Sequence, residues 1–417
     1  MPWYSRHMTL AEDLKARGLV EHTSADTEEI LSKKRTVYLG VDPTADSMQA
    51  GNLVVVLLMK RLADAGHSII LLVGGGTGMI GDPKEKGERP LADARLVAKN
   101  KKALKAQMQA ILGRRIRVVD NADWLLKVKL VDFLRDIGKH FTVNELVKRD
   151  IIRRRLETPD ESISYTEFAY SLLQGYDFLV LNKKYGVDLQ LGASDQWTNI
   201  LSGVELIRRK EGKDAYALTC PLVTDANGKK FGKSEGNAVW LDPKKTSPYV
   251  FYQFWLNQPD EVVGKYLKFY TFMNVQEIDL LMELHGRNPG RREAQKMLAR
   301  LVTEIVHGKE AAERSIAVSE ALFGERPLAS LTPAEVEIVK HDAPSATVTF
   351  DMPVVDALVQ TGLAASKSEA RRLIEGNGIS INDERIQNVD ASLSPEHLDG
   401  GLALLKRGRQ VAVLMRS

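Results

Sequence analysis

Tyr38-Leu39-Gly40-Val41-Asp42-Pro43-Thr44-Ala45-Asp46-Ser47-Met48-Gln49-Ala50-Gly51-Asn52-Leu53 is the stretch that decides the fold. The apolar, β-branched run Val37 to Val41 meets Asp42-Pro43 and small polar residues, and an apolar helix begins near Gly51. Leu53 to Leu62 give that helix its buried face, and Ala65-Gly66 ends it, glycine closing a helix without a Cβ penalty. A second apolar strand, Ile69 to Val73, follows at once. Strand, loop, helix and strand make a right-handed crossover, the unit that places a ligand at the carboxyl edge of a parallel sheet.

Composition sets the outer bounds. At 417 residues the chain has room for two or three domains with a full core in the first. Charged residues are 27% and hydrophobic ones 44%, as in ordinary globular proteins. A net charge of +3 means that a nucleic-acid partner must be met by local basic patches. The single cysteine, Cys220, excludes an intramolecular disulfide and a thiolate zinc site, and fits a reducing cytosol. No apolar run approaches the roughly 20 residues of a membrane span. The expectation is a cytoplasmic protein with no membrane partner, no tightly bound cofactor and no structural metal.

Residues 1–34 read as helical and peripheral, Thr9 capping a helix that Gly18 ends. After the second strand, Gly76, Gly78 and Gly81 satisfy the spacing of a dinucleotide fingerprint. That fingerprint needs a helix to open there. The polar, proline-bounded run Asp82 to Pro90 follows instead, which argues against a nicotinamide site. The glycines then serve to let backbone approach a ligand, with Asp82 an anchor for a cationic amine. Lys86 and Arg89 read equally well as a solvated charge cluster.

A long helix, Leu91 to Leu112, leads to a third strand ending in Asp120-Asn121. The basic run after Lys148 would align Arg149 and Arg153 on one helical face for phosphate contact. On the helix after Glu161, Tyr170, Gln174 and Asp177 stand at i, i+4 and i+7 and share a face. A phenol, an amide and a carboxylate among Leu172, Leu173, Phe178 and Leu179 are costly to bury without partners, so they form either a surface stripe or a cup for a polar ligand. Strand Val187 to Leu191 then runs into Ser194-Asp195-Gln196. Further on, Lys229, Lys230, Lys233 and Ser234 crowd a glycine-bounded loop suited to polyphosphate, without P-loop spacing.

Together these pieces resemble one family. Lys230-Phe231-Gly232-Lys233-Ser234 resembles the KMSKS loop of class I aminoacyl-tRNA synthetases, in the KFGKS form of the tyrosyl enzymes, and Gln49-Ala50-Gly51-Asn52 occupies the place of their HIGH motif. Tyr38, Asp42 to Ser47, Gly81-Asp82-Pro83, Tyr170 to Asp177 and Ser194 to Trp197 match the bacterial tyrosyl enzymes in order. The tryptophanyl enzymes are the nearest rival. The resemblance implies tyrosine activation by ATP, with Mg2+, to tyrosyl-adenylate and pyrophosphate, then transfer to the terminal adenosine of tRNA(Tyr). It assigns Tyr38 and Asp177 to the substrate phenol, Asp82, Tyr170 and Gln174 to its ammonium, and Gln196 to its carboxylate side, with Thr77 and Asn121 also in the tyrosine site. Gly40, Asp42, Gly51, Asp195, Leu222, Val223, Lys230 and Lys233 would bind ATP. Thr44, Gln49, Asn52, Lys86, Arg89, Lys230, Lys233 and Ser234 would serve the chemical step, where charge builds on departing pyrophosphate.

The chain departs from the family in three places. Gln49 and Asn52 replace both motif histidines but keep a neutral N–H donor. Lys84 stands where serine is common, in a loop that is one residue short. A catalytically weakened, RNA-binding relative is therefore the competing reading.

The expected fold is α/β: a Rossmann-like doubly wound parallel sheet, then an α-helical domain and a small α+β RNA-binding module. Segment by segment, 1–34 is helical and 35–245 catalytic, with a helical dimerisation insertion at about 125–165 and the lysine loop at 228–236. By resemblance 246–335 binds the anticodon and 350–417 is the RNA module; Pro327 to Ser345, with Pro333 and Pro344, reads as linker, bounded at 336–349. Lys367, Arg371, Arg372, Lys406, Arg407 and Arg409 are the module's candidate RNA contacts beside Arg149 and Arg153. L-Tyrosine, ATP, tRNA(Tyr) and a second copy of the chain are the expected partners.

Overall fold

Six strands assemble the main sheet: β1 (His22–Thr23), β2 (Thr36–Val41), β3 (Ser68–Val73), β4 (Arg117–Asp120), β5 (Leu189–Ala193) and β6 (Tyr216–Cys220). They are taken from a computed structural model that describes residues 8–83, 93–113, 116–224, 238–324 and 326–417. The spatial order is β1-β6-β5-β2-β3-β4, and every pair is parallel except β1 with β6. Chain order reverses between β2 and β5, and the crevice beyond the carboxyl ends of such strands is where doubly wound sheets hold ligands. In register, Tyr38 lies opposite Ile70 on one side and Gln190 on the other.

The first crossover forms as its pattern dictates. Helix Leu53–Asp64 buries Leu53, Val54, Val56, Leu57, Leu58, Met59 and Leu62, each worth about 1.5–3 kcal/mol once removed from water. The amino-terminal segment is less peripheral than its sequence suggests. Helix Leu10–Arg17 has the Thr9 capping box and the left-handed Gly18 cap, but β1 then adds an antiparallel edge to the sheet.

Contacts divide the chain into two compact units, Met1–Lys245 with Gln258–Ala294, and Thr246–Asn257 with Gln295–Ser417. The stretch 246–335, expected as one helical domain, is thus shared between them. Two buried arginines account for the place of 258–294. Arg17, paired with Asp13 at 2.7 Å, donates to the carbonyls of Lys268 and Met273, and Arg61 donates to the carbonyl of Thr271. These are carbonyls at and beyond the end of helix Asp260–Tyr270, which has no intrahelical donors left for its last turn.

In the second unit, helices Pro248–Leu256, Lys309–Phe323 and Pro333–Asp342 accompany a five-stranded sheet. Its strands are β7 (Ser345–Val348), β8 (Ile379–Ile381), β9 (Glu384–Arg385), β10 (Leu402–Arg407) and β11 (Gln410–Arg416), in the order β7-β11-β10-β8-β9. Alternation along β10 and β11 splits the core. Leu405 and Leu414 pack with Ile374 and Ile379, whereas Leu404 and Val413 pack with Val318, Leu322 and Val339. The expected linker 336–349 is corrected here: it is the body of one helix and strand β7. Pro333 occupies the first helical turn, where a missing N–H costs nothing, behind a Thr332–Glu335 capping box.

Candidate active site

At the switch between β2 and β5 a cleft of about 380 Å³ opens, bounded by the ends of β2 and β5, the turns after them and helix Tyr165–Tyr185. Tyr38, Thr77, Asp82, Tyr170, Gln174, Asp177 and Gln196 all line it, so the shared helical face and the strand ends converge on one space. Gly40, Asp42, Thr44, Gln49, Gly51, Asn52, Asp195, Leu222 and Val223 line it too. Lys86, Arg89, Lys230, Lys233 and Ser234 lie outside the described residues.

The inner end is a closed polar network under apolar cover. Asp177, 2% exposed, accepts from Asn121 Nδ2 at 2.9 Å and from Trp124 Nε1 at 2.7 Å. Asn121 also donates to Thr77 Oγ1 at 2.8 Å and accepts the Gly76 N–H at 2.7 Å. Thr77 in turn donates to Asp42, whose other oxygen accepts from the Tyr170 hydroxyl, both at 2.7 Å. Burial pushes the Asp177 carboxyl up to about 8, against the lowering pull of its two donors. Tyr38 is wholly buried, its ring edge-on to Phe178, and its hydroxyl has no partner among the described residues. Burial and then the nearby Asp177 raise its pKa. A buried phenol hydroxyl without a protein partner, beside a carboxyl, is a group that a ligand hydroxyl can satisfy.

Asp82 holds the mouth of this end. It accepts from Gln196 Nε2 at 2.8 Å and Asn199 Nδ2 at 3.1 Å, and burial raises it to about 6. Behind Asn199 stands Arg149, donating to Asn199 Oδ1 and to Ser202. The nucleic-acid expectation for Arg149 is corrected by this placement. It precedes helix Asp150–Glu157 and turns inward, where burial lowers its pKa to about 10, while Arg153 remains exposed on the helix.

The glycine run serves packing of the protein against itself. A Cβ on Gly74 would sit 2.0 Å from Asp42 Oδ1, and one on Gly75 2.2 Å from Asp120 Oδ1. Only glycine lets this turn close over the carboxylates.

Residues that sequence reasoning missed include Trp124, Gln190 and Asn199. Gln190 is buried on β5 beside Tyr38, lines the cleft and leaves Oε1 without a partner. An amide inside an apolar strand was the available signal. Asn121, expected to touch ligand, instead stands behind Asp177 and Thr77 and is absent from the cleft wall.

The outer end is built from backbone. Gln49 pairs with Trp240 in a short antiparallel bridge, Ala50 N–H donates to Val239 O at 2.9 Å, and Leu241 N–H donates to Met48 O at 2.9 Å. The motif-like turn is thus fastened to the residues that follow the lysine stretch. Asn52 spends its side-chain oxygen on the Gln49 N–H at 3.2 Å.

In the second unit, Lys367 pairs with Asp356, Lys406 with Asp383 and Arg407 with Glu369. Arg371, Arg372 and Arg409 are exposed.

Two family models match the chain. One, described as tRNA synthetases class I (W and Y), matches residues 31–324, and the other, a tyrosine–tRNA ligase SYY-like C-terminal domain, matches 335–415. A tyrosine–tRNA ligase of Roseiflexus castenholzii is 46% identical over 98% of this chain and 99% of its own length. One from Leuconostoc citreum is 46% identical over 97% and 98%. Among solved structures, a C-terminally truncated mitochondrial tyrosyl-tRNA synthetase of Aspergillus nidulans superposes with a TM-score of 0.68 at 29% identity, covering 75% of this chain and 93% of that one.

Proposed function

The chain belongs to the class I tRNA synthetase family of the tryptophan and tyrosine enzymes and is a tyrosine–tRNA ligase, and we propose how its residues divide that work. The substrate phenol enters between Tyr38 and Asp177 and supplies the partner that the Tyr38 hydroxyl lacks. Its ammonium pairs with ionised Asp82, beside Tyr170 and Gln174, and Gln196 faces its carboxylate side. That carboxylate attacks the α-phosphorus of ATP, the bond to the bridging oxygen breaks, and pyrophosphate leaves. In the second step a terminal ribose hydroxyl of tRNA(Tyr) attacks the tyrosyl carbonyl, and AMP departs.

The single observation that carries this reading is the buried hydroxyl without a partner facing a carboxyl at the closed end of the cleft. A pocket of that kind accepts a hydroxyl-bearing side chain and penalises phenylalanine, which would leave buried polar groups unpaired. Rate comes from placement and charge, because phosphoryl displacement needs donors and cations on the leaving oxygens. Thr44, Gln49 and Asn52 serve that end, with Lys86, Arg89, Lys230, Lys233 and Ser234 as the groups that sequence resemblance adds.

The same reading makes the enzyme a cytoplasmic homodimer. Among the described residues no helix is long and apolar enough to cross a membrane. Leu126, Leu130, Val131 and Val143 stand 62–73% exposed within the insertion at 125–165, an apolar face that a second copy would cover. Tyrosine-dependent exchange of labelled pyrophosphate into ATP tests the activity. A folded protein with no exchange would favour a catalytically silent RNA-binding relative.

A further inference from the structure

We infer that Gln107 is a positioning residue for the adenylate-forming step, acting through Ser47 on both sides of the phosphate end of the cleft. The inference rests on the tyrosine-activating reading above. Gln107 lies on helix Ala94–Leu112 and is not part of the cleft wall, yet its amide meets the motif-like turn at two points. Its Oε1 accepts the Met48 N–H at 2.8 Å, and its Nε2 donates to Ser47 Oγ at 3.1 Å. Ser47 is buried and fully used. Its hydroxyl donates to Met48 O at 2.9 Å and accepts a second N–H, from Asp242, at 3.1 Å.

Asp242 belongs to the segment that returns from the lysine stretch, and that segment is already tied to the turn through Val239–Ala50, Trp240–Gln49 and Leu241–Met48. Lys245 continues the seam, pairing with Asp46 while its ammonium stands 4.7 Å from the centre of the Trp240 ring. Apart from the bond of Asp242 N–H to Ser47, these links run between backbone groups or at the rim. The Gln107–Ser47 pair is a side-chain rivet from a third element, and it fixes the turn that carries Gln49 and the exit of the lysine stretch in a single register.

That register matters because the two segments must present donors to opposite sides of one polyphosphate. A shift of an ångström there lowers the rate about 100-fold while leaving the buried tyrosine end alone. Leucine at 107 would leave the Met48 N–H without its acceptor and the Ser47 hydroxyl without one donor. Glutamate would keep most of the arrangement: one oxygen accepts the Met48 N–H, Ser47 turns to donate to the other, and Met48 O keeps its bond from Leu241.

The test compares Gln107→Leu, Gln107→Glu and Ser47→Ala with the wild type in tyrosine-dependent pyrophosphate exchange, tyrosine titration without ATP, and thermal melting. Gln107→Leu is expected to lose between about 10- and 100-fold in kcat with tyrosine affinity within about twofold of wild type, and Gln107→Glu to recover to within about fivefold. Ser47→Ala should lose rate in the same way, and the double variant should lose less than the product of the single losses. Equal kcat in Gln107→Leu and wild type overturns the proposal, as does an equal loss of kcat and tyrosine affinity. If Gln107→Leu fails to fold, Ser47→Ala with full activity overturns it by itself. A wild type that exchanges no pyrophosphate removes the activity reading, and the proposal with it.

Discussion

The two ends of the cleft are built in opposite ways. At the end proposed for tyrosine, side chains hold side chains: Asp177, Asn121, Thr77, Asp42 and Tyr170 form one chain of bonds from 2.7 to 2.9 Å, with Trp124 and Gly76 closing it. At the end proposed for phosphate, Thr44, Asn52 and Asp195 are exposed, and the turn is held through its backbone. The difference follows the chemistry. Recognition of a phenol gains from groups locked before the ligand arrives, since a buried partner cannot be replaced by water. Charge that appears only as pyrophosphate departs is met by donors and cations placed around a more open space.

The sharpest way to break the contrast is an isosteric change at the closed end. Asp177→Asn would set an amide N–H against Asn121 Nδ2 or Trp124 Nε1, so the network must reorganise. Tyrosine affinity is expected to fall about 100-fold, in line with about 3 kcal/mol for a buried bond broken on one side. Titration with tyrosine in the absence of ATP checks this, and an unchanged affinity would remove Asp177 from the phenol site.

Substitution of the lysines that resemblance assigns to ATP should separate rate from affinity. Lys230→Ala and Lys233→Ala are each expected to lower kcat for exchange by about 100-fold with tyrosine affinity preserved, as for the loss of a single transition-state donor. Steady-state kinetics with both substrates varied would show it.

Proton linkage sharpens the boundary between the two ends. Asp82, raised to about 6, must be ionised to pair with an ammonium. In the free enzyme kcat/KM for tyrosine should therefore fall about tenfold per pH unit below about 6, and Asp82→Asn should be weak at every pH. Stability runs the other way. A carboxyl whose folded pKa is raised contributes most below its unfolded value, and that contribution is lost as pH rises through the folded one. With Asp82 at about 6 and Asp177 at about 8, the melting temperature of the ligand-free protein should drop between about pH 4 and 8, and tyrosine should restore it by occupying the site. Melting curves at fixed ionic strength measure both effects.

The smallest change belongs to the most conspicuous sequence departure. Gln49→His exchanges one neutral N–H donor for another on a turn whose backbone is already fixed by Trp240 and Asn52. Exchange rates within about threefold of each other are expected. A large gain would show that the glutamine limits the wild type.

Much of this was legible along the chain. The alternation of apolar strands and amphipathic helices gave the parallel sheet, and the 3.6-residue period placed Tyr170, Gln174 and Asp177 on the face that lines the cleft. Prolines misled at 333 and 344, because a proline in a first helical turn and one between elements look, in sequence, like a linker. The basic run misled at Arg149, since helical spacing says nothing of which residue precedes the helix and turns inward.

What the sequence alone determined was periodicity and the order of its motifs, which are properties of neighbours a few residues apart. Only the tertiary structure decided who partners whom. Asp177 meets Asn121 and Trp124 across 56 and 53 residues, and Asp42 meets Tyr170 across 128. A hydrogen bond is satisfied only within about 3 Å, and such distances are set by sheet register and helix packing, which no local pattern along the chain encodes.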